Sequence, residues 1–217
     1  RDTVVVVPKG PFEVKNSGTG KMNKFYQNSH NSLCLSQDGK DLWGVTFDKP
    51  LCGRAGTVDY FANGKLQILF CAADKLYMID RLGRYVSGFP LSLGKEVLLG
   101  PDIYDFNGSR KYNVLVLHKD NTVEMYNLKG QKPASWKGIT SSETIKNLPE
   151  RLVLGGNTFW VVRTSIQTLI YPFYGGDALT VFSGNQMIRP DSQIKAVDDT
   201  TVEFTCYDGK IRTAKLK

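Results

Sequence analysis

The sequence predicts an all-β fold built from about five repeated units, each a sheet of four antiparallel strands. Three observations lead to this prediction. Five segments of sixteen residues share one pattern and end in glycine, apolar and β-branched residues alternate around short polar turns, and helical periodicity is nowhere convincing. The composition agrees, because 217 residues with 41% hydrophobic and 23% charged side chains are ordinary for a globular protein.

The five segments recur along the whole chain. Their terminal glycines are separated by 44, 47, 46 and 33 residues. The segments are 24–39, 68–83, 115–130, 161–176 and 194–209. Each is predicted to form a strand, a short polar turn and a second strand, followed by a turn in which the glycine has a positive φ.

A further strand is predicted ahead of most segments. These strands are 56–61, 97–104, 151–154 and 187–188. In three copies an aromatic residue follows the terminal glycine by six positions: Phe89, Trp136 and Phe182. An even offset places these on one face of the next strand, so we expect them to be mostly buried between neighbouring sheets. The best helical candidate, 141–148 with Ser142 as its N-cap, is expected to form at most one turn.

Four strands every forty-odd residues are typical of a β-propeller, in which neighbouring sheets cover one another and their twist closes a ring. We therefore predict one propeller domain over 1–217, with repeats near 12–47, 56–90, 97–137, 150–183 and 187–217. A β-sandwich is the alternative architecture. The chain begins at Arg1 without a methionine, so the terminal blades of a larger ring or a processed product are also expected possibilities.

The unbroken valine run Val4 to Val7 should be covered on both faces, because it lacks alternation. The last repeat has the shortest spacing and lacks a full strand of its own. We therefore expect this run to pair with the repeat containing Val202 and Ile211 and to close the ring.

Two stretches resemble known repeats: NGKLQILFCAADKLYMIDRLGRYVSGFP (63–90) and DFNGSRKYNVLVLHKDNTVEMYNLKG (105–130). They resemble bacterial propeller repeats of the FG-GAP/VCBS and quinoprotein-like kind in their order of strand, loop, strand and D-x-x-G turn. The resemblance is clear over 59–136 and weaker outside it. It implies a propeller fold and an extracytoplasmic location, in the periplasm or cell envelope, as for many Bacteroidetes-type proteins of unassigned role. It implies no activity.

Repeats of this kind often hold calcium in a D-x-[DN]-x-D-G-x-x-D loop, and two loops of this chain match that pattern in degenerate form. One offers Asp105, Asn107, Ser109 and Asn113, with Arg110 in place of the glycine, and the other offers Asp59, Asn63, Gly64 and Gln67. One carboxylate per loop is too little charge to replace the hydration shell of the ion. We therefore expect no metal, and no quinone or other cofactor is implied.

Histidines and cysteines do not form a recognisable catalytic or metal-binding pattern. His30 is expected in a turn, and His118 at a strand end facing solvent or a neighbouring sheet. The four cysteines Cys34, Cys52, Cys71 and Cys206 form no CxxC pair, and most lie in strand-like contexts where cysteine behaves as a small core residue. Their number is compatible with either redox compartment.

The net charge of +7 favours anionic partners or simply solubility. The strongest basic and aromatic cluster is 21–26, but its alternation predicts that Phe25 is buried and Lys24 solvated, so no nucleic-acid partner is expected. The longest apolar run, 68–73, is too short to span a membrane.

These observations predict a non-catalytic binding or scaffolding module of the cell envelope, with an unknown protein or glycan ligand. The candidate ligand-binding residues at the funnel of the ring are Asp59, Asp102, Asp105 and Glu150. The alternative is a glycan-acting enzyme that uses such carboxylates as acid and as base or nucleophile. A third interpretation is that they are ordinary turn residues at strand ends.

Overall fold

The computed structural model describes residues 3–217. In that range the regular elements are β-strands, apart from one 3-10 turn at Gly184–Gln186, so the all-β prediction is confirmed. The chain forms two compact units. The N-terminal unit consists of Val7–Asp120 and Glu124–Pro133, and the C-terminal unit consists of residues 3–6, Asn121–Val123 and Ala134–Lys217.

The N-terminal unit contains two complete antiparallel sheets and most of a third. The first sheet has the order β1 (Phe12–Lys15), β2 (Met22–Gln27), β3 (Ser32–Gln37) and β4 (Lys40–Thr46). The second has the order β5 (Leu51–Val58), β6 (Gln67–Ala72), β7 (Lys75–Ile79) and β8 (Leu91–Ser92). The third begins with β9 (Val97–Tyr104), β10 (Asn113–His118) and β11 (Thr122–Asn127). A parallel bridge between Gly53 and Gly100 links β5 to β9.

The C-terminal unit contains the remaining strands. The short strand β12 (Ile139–Thr140) pairs with Thr122 and Val123, the first residues of β11. Two antiparallel sheets follow: β13 (Glu150–Leu154), β14 (Asn157–Arg163) and β15 (Thr168–Pro172), then β16 (Lys195–Ala196), β17 (Thr201–Thr205) and β18 (Ile211–Lys215). Both have three strands, whereas four were expected in the first; the second lacks a full strand of its own, as the short last spacing predicted. After β15 the chain returns to that strand only through scattered backbone bonds, among them Leu179 N–H to the Ile170 carbonyl and Thr168 N–H to the Ile188 carbonyl. Within residues 3–217 it adds no fourth strand to this sheet.

The five repeated segments each form a hairpin. These are β2–β3, β6–β7, β10–β11, β14–β15 and β16–β17. The terminal glycines all have φ between +76° and +87°, which confirms the predicted turn conformation: Gly39, Gly83, Gly130, Gly176 and Gly209. The repeated glycine therefore marks a backbone position where other residues would be strained.

The strand β6 divides the core of the N-terminal unit into two layers. Ile68 and Phe70 pack in one cluster with Phe25 and Leu33 of the first sheet. Leu69, one position on, belongs to a second cluster that includes residues of β10. Since successive side chains of a strand point to opposite faces, the sheet β5–β8 buries both faces. This is why β6 has apolar residues on both faces rather than alternating with polar ones.

The predicted core cysteines and the parity of β2 agree with the structure. Cys34, Cys52, Cys71 and Cys206 are all buried free thiols. Phe25 is fully buried and Lys24 is exposed, which confirms the alternation predicted for that strand. Cys206 packs in the core of the C-terminal unit with Val202, Phe204 and Ile170.

The aromatic residues that follow the glycines are less uniformly buried than expected. Phe89 is buried, with its ring centroid 5.6 Å from that of Tyr60. Trp136 and Phe182 are only partly buried. Neither lies in a strand, so the even offset from the glycine does not determine the direction of the side chain.

The stretch 141–148, which was expected to form at most one helical turn, forms none. This stretch is irregular and makes one isolated bridge, from Ile145 to Thr164. The side chain of Asn121 donates to the carbonyls of Ser141 and Glu143 and accepts from the Ile145 N–H. These bonds satisfy the backbone groups that a helical turn would have used.

The valine run at the start of the chain does not close a sheet. Val4 to Val7 lies outside every strand, and the sheet β16–β18 contains no strand from this region. Val4 and Val6 are 67% and 75% exposed, so the expected burial of both faces is also wrong. Instead, the Val4 carbonyl accepts a hydrogen bond from the Lys146 ammonium.

His118 lies in the core rather than facing solvent. It is fully buried at the end of β10, and its Nε2 is 2.7 Å from the Tyr126 hydroxyl. Its Nδ1 is 3.1 Å from the carbonyl oxygens of Lys95 and Glu96, so Nδ1–H donates and Nε2 accepts. Burial lowers the pKa of His118 below its usual value, although the Glu96 carbonyl opposes this shift. His30 lies in a turn, as predicted.

We expect Phe70→Ala to lower the free energy of unfolding by about 3–5 kcal/mol, because it empties a fully enclosed aromatic site. The Phe70 ring stacks on Tyr77 at 5.2 Å and meets Phe47 edge-on at 5.6 Å. Urea unfolding measures the effect. Phe61→Ala is the matched control, since Phe61 is 57% exposed and should lose less than about 1 kcal/mol. Equal losses for the two variants would contradict this core assignment.

We expect acidification to destabilise the fold through His118. Its folded pKa is lowered, so below the unfolded value of about 6.5 the unfolded chain binds a proton that the folded chain rejects. The free energy of unfolding should therefore fall between about pH 7.5 and about pH 5, and fall less in His118→Gln. His30→Gln controls for the loss of an imidazole. The same fall in wild type and His118→Gln would show that another group is responsible.

Candidate functional site

Two loops of the N-terminal unit have the same hydrogen-bonding pattern. In the loop between β5 and β6, the Asp59 carboxylate accepts the backbone N–H groups of Asn63 and Gly64, each at 3.0 Å. In the loop between β9 and β10, the Asp105 carboxylate accepts the Arg110 N–H at 3.1 Å and 3.2 Å. Each aspartate therefore closes its loop onto the residue five positions later.

The closing residue differs between the two loops. It is Gly64 in the first and Arg110 in the second, and both have a left-handed backbone, with φ of 79° and 62°. Glycine adopts this conformation without steric cost, whereas arginine is strained there. Arg110 therefore occupies a position whose local geometry favours glycine.

Arg110 joins the two loops. Its Nε is 3.2 Å from the Asp59 carboxylate, whose side chain is only 7% exposed. The backbone N–H of Asp59 donates to the Tyr112 hydroxyl at 2.9 Å. The structure therefore brings Asp59 and Asp105 to the same place, with Arg110 contacting both. The guanidinium of Arg110 is therefore paired with the carboxylate of the other loop.

Competing effects set the ionisation of Asp59. Burial raises its pKa, but the N–H groups of Gly64 and Asn63 and the charge of Arg110 outweigh burial and hold the pKa below its usual value. Asp59 is therefore ionised at neutral pH, with its oxygens engaged in the loop. Within residues 3–217, no three His, Cys, Asp or Glu side chains converge as a metal site would require.

The other two predicted acidic residues contact different arginines. Asp102 on β9 pairs with Arg54 on β5 at 3.1 Å. Burial raises the pKa of Asp102, although Arg54 opposes the shift. Glu150 belongs to the C-terminal unit, where it is exposed and forms a forked contact with Arg163 at 3.0 Å and 3.3 Å. That all four carboxylates line one funnel stays a prediction.

A cavity of about 470 Å³ opens beside the two loops, and we call it the tyrosine cavity. Its lining combines two tyrosines, three cations and several amides: Tyr60, Arg110, Lys111, Tyr112, Asn113, Asn127, Leu128, Lys129 and Gln131. This size falls within the range typical of small-molecule sites.

A second depression, of about 310 Å³, begins at the next residue of the first loop, and we call it the Phe61 groove. It is lined by Phe61, Asn63, Lys65, Leu66, Gln67, Asp80, Arg81, Leu82 and Arg84. Phe61 is 57% exposed and Leu82 is 48% exposed. Two large apolar side chains therefore share one groove with exposed basic residues around them.

Equivalent turns form the far walls of the two depressions. Asp80 accepts the backbone N–H groups of Leu82 and Arg84, at 2.9 Å and 3.0 Å. Asn127 accepts those of Lys129 and Gln131, also at 2.9 Å and 3.0 Å. In each turn the side-chain oxygen accepts the backbone N–H groups that water would otherwise bind, and this holds the turn in one conformation.

The C-terminal unit has a larger cavity of about 690 Å³, lined by aromatic residues that include Phe159, Phe173 and Tyr174. Phe173 stacks on Trp160 at 6.0 Å and meets Tyr174 edge-on at 4.9 Å. None of the predicted site residues lines this cavity.

Comparison with known proteins identifies the fold. No protein-family model and no curated protein sequence matches the chain. Among solved structures, the chain is similar to BBS1N, crystallised in complex with ARL6DN, with 14% identity and a TM-score of 0.55 over 95% of this chain and 64% of that one. It is also similar to BamB from Moraxella catarrhalis, with 13% identity and a TM-score of 0.51 over 99% of this chain and 61% of that one.

Both of those proteins are β-propellers. The chain has a β-propeller fold. It spans less than two thirds of the length of BBS1N and of BamB, and at these identities the likeness shows the propeller fold alone. Among residues 3–217, none forms a helix of the length and apolar character needed to cross a bilayer.

The sequence placed Asp59 and Asp105 in two matching loops with Arg110 and Asn113 beside them, but it did not indicate the other residues that line the two depressions. The tyrosines of the cavity, Phe61 and Leu82 were not predicted, because single exposed aromatic or apolar residues carry no sequence signal. The alignment of the two loops did contain a usable signal, since it places Arg110 opposite Gly64. Recognising its contact with Asp59 required the spatial proximity of two different sheets.

We expect Asp59→Asn to destabilise the propeller at neutral pH, since the charged carboxylate holds two N–H groups and a guanidinium. A lowered folded pKa means that this contribution is present above the unfolded value of about 3.9 and is lost as the pH falls through the folded value. The stability of Asp59→Asn should therefore depend less on pH below about 4. Unfolding in urea at several pH values tests this, with the exposed Asp48→Asn as control. Parallel pH curves for wild type and Asp59→Asn would contradict the assignment.

Proposed function

We propose that the chain is a non-catalytic binding or scaffolding module whose partner is a protein. An acidic partner segment with apolar side chains docks in the Phe61 groove. The observation that carries this proposal is the exposure of Phe61 and Leu82 within one groove. Central apolar residues inside a polar rim are typical of protein interfaces, and aromatic residues and arginine contribute most of their binding energy.

The charge around the groove selects the partner. Lys65, Arg81 and Arg84 are exposed, and within residues 3–217 Asp80 is the only acidic residue of the lining. Asp80 already pairs with Arg84 at 2.8 Å and with two backbone N–H groups. The excess positive charge therefore attracts an acidic segment and agrees in sign with the net charge of +7.

Two further considerations support a binding role. The related propeller BBS1N was crystallised in complex with another protein, ARL6DN. Stretches 63–90 and 105–130 resemble FG-GAP/VCBS and quinoprotein-like repeats, whose extracytoplasmic setting supports a location in the cell envelope. Both the family assignment and the location are part of the proposal.

The alternative, a glycan-acting enzyme, is less favoured by the geometry. Glycoside cleavage needs one carboxylic acid and a second, ionised carboxylate on either side of the sugar bond. The raised pKa of Asp102 suits an acid, but Arg54 contacts its carboxylate. Asp59 and Glu150 are likewise bound by arginines, so these carboxylates already serve structural contacts.

Site-specific photo-crosslinking tests the docking proposal. In one variant of the full chain, expressed in the native host, a benzophenone amino acid replaces Phe61. In a control variant of the same chain it replaces Met22, which is also exposed but lies outside the groove. We expect position 61 to give a discrete adduct that position 22 does not. Adding Leu82→Asp should lower its yield at least about tenfold, because losing an interface anchor costs about 2 kcal/mol or more.

The same adduct from both positions, or an unchanged yield with Leu82→Asp in a folded protein, would refute docking in the groove. Mass spectrometry of the adduct should locate the cross-link in an acidic segment. Hydrolysis of glycans by the purified chain, abolished by Asp102→Asn, would instead establish the enzymatic alternative.

A further inference from the structure

The tyrosine cavity is distinct from the Phe61 groove and has a different chemistry. Tyr60 lines the cavity, whereas its neighbour Phe61 lines the groove. The Tyr60 ring is held edge-on by Phe61 at 5.0 Å and by Phe89 at 5.6 Å. A fixed aromatic ring offers a flat apolar surface without further loss of side-chain entropy on binding.

Arg110 is the organising residue of this cavity. Its left-handed φ of 62° is strained, and the equivalent residue of the other loop is a glycine. An arginine therefore does not stabilise the backbone of this turn, and its contribution at this position is its guanidinium side chain. Strained residues of this kind cluster at ligand-binding sites.

The orientation of Arg110 is set by a buried partner. Its Nε contacts the Asp59 carboxylate, which is itself held by the loop, so the guanidinium is positioned before any ligand arrives. A guanidinium oriented in this way presents its terminal N–H groups as a fork, which matches the two oxygens of a carboxylate.

The remaining lining supplies hydrogen bonds and charge. The Tyr112 hydroxyl accepts the Asp59 N–H, which leaves its own proton for a ligand acceptor. Asn113 and Gln131 carry amides that both donate and accept, as the hydroxyl groups of a sugar do. Lys111 and Lys129 are exposed at the cavity and make its field positive.

We propose that the tyrosine cavity binds a short oligosaccharide bearing uronic-acid carboxylates. The Arg110 fork pairs with a carboxylate, the amides and Tyr112 bind ring hydroxyls, and the tyrosine rings pack on the apolar faces of the sugar rings. A phosphate ligand fits less well, because inorganic phosphate has no apolar face to pack on the tyrosine rings. The two tyrosine rings likewise favour a sugar over an acidic peptide.

Calorimetric titration of the full chain with trigalacturonate tests this site. We expect saturable binding that weakens as salt is added, and no saturable binding of the neutral sugar maltotriose. Arg110→Gly should weaken binding at least about tenfold while relieving backbone strain, because it removes a charge-assisted hydrogen bond. Lys111→Gln and Lys129→Gln should each weaken binding about threefold.

Two matched controls show whether weaker binding comes from the cavity itself or from a general loss of positive charge or of backbone strain. Asn31→Gly relieves a left-handed residue with φ of 56° outside the cavity, and Lys40→Gln removes an exposed cation outside it. Both should bind trigalacturonate as the wild type does. If Arg110→Gly does not fold, Arg110→Lys serves instead, since it keeps the charge, loses the fork and should still bind more weakly.

Absence of saturable binding, or unchanged affinity in a folded Arg110 variant, overturns the proposal. Hexaglutamate binding as tightly as trigalacturonate overturns it in favour of an acidic peptide, and a sulfated trisaccharide binding as tightly overturns recognition of the carboxylate. Leu82→Asp should leave trigalacturonate binding unchanged, so failure at this cavity is distinguishable from failure of protein docking in the Phe61 groove.

Discussion

Burial of both faces of the sheet β5–β8 is the constraint on which the N-terminal unit depends. One face of β6 packs with Phe25 and Leu33, and the other packs in the cluster that contains Val114 and Val116. Neither face remains for a ligand, so binding is left to the loops at the strand ends, as is usual for rigid β scaffolds. The same constraint explains why an arginine or tyrosine that matters for binding lies beyond the last residue of a strand.

Side chains that bind their own backbone give these loops fixed shapes. Asp59, Asp80, Asp105 and Asn127 each accept N–H groups two to five residues further along the chain. Exposed loops would otherwise satisfy those groups with water and sample several conformations. Because internal hydrogen bonds hold these turns, the consecutive residues Tyr60 and Phe61 keep fixed positions on opposite faces of one loop. Two depressions of different chemistry therefore begin at neighbouring residues.

The sequence was informative where structure is local. The positive φ of Gly39 and Gly83, the turn at His30 and the bounds of β9 follow from nearest neighbours along the chain and were predicted correctly. Predictions failed where distant residues decide. His118 does not face solvent, one of the two alternatives predicted for it, because its ring bonds to Tyr126 of the next strand and to carbonyls of the preceding segment. The Asp59–Arg110 contact spans 51 positions, so periodicity gives no indication of it.

The charge arithmetic of the two loops explains why an arginine fits this place. Asp59 is a nearly buried carboxylate, and burying an uncompensated charge is costly. A calcium ion would compensate it only with several further oxygen ligands, and each loop has a single carboxylate. One guanidinium matches one carboxylate in charge and adds directed N–H groups. Because the guanidinium is covalently part of the chain, it neutralises the Asp59 carboxylate at any concentration of free metal ions. The strain at Arg110 is then the cost of holding a positive fork at the cavity wall, where a glycine would give an easier turn and no charge.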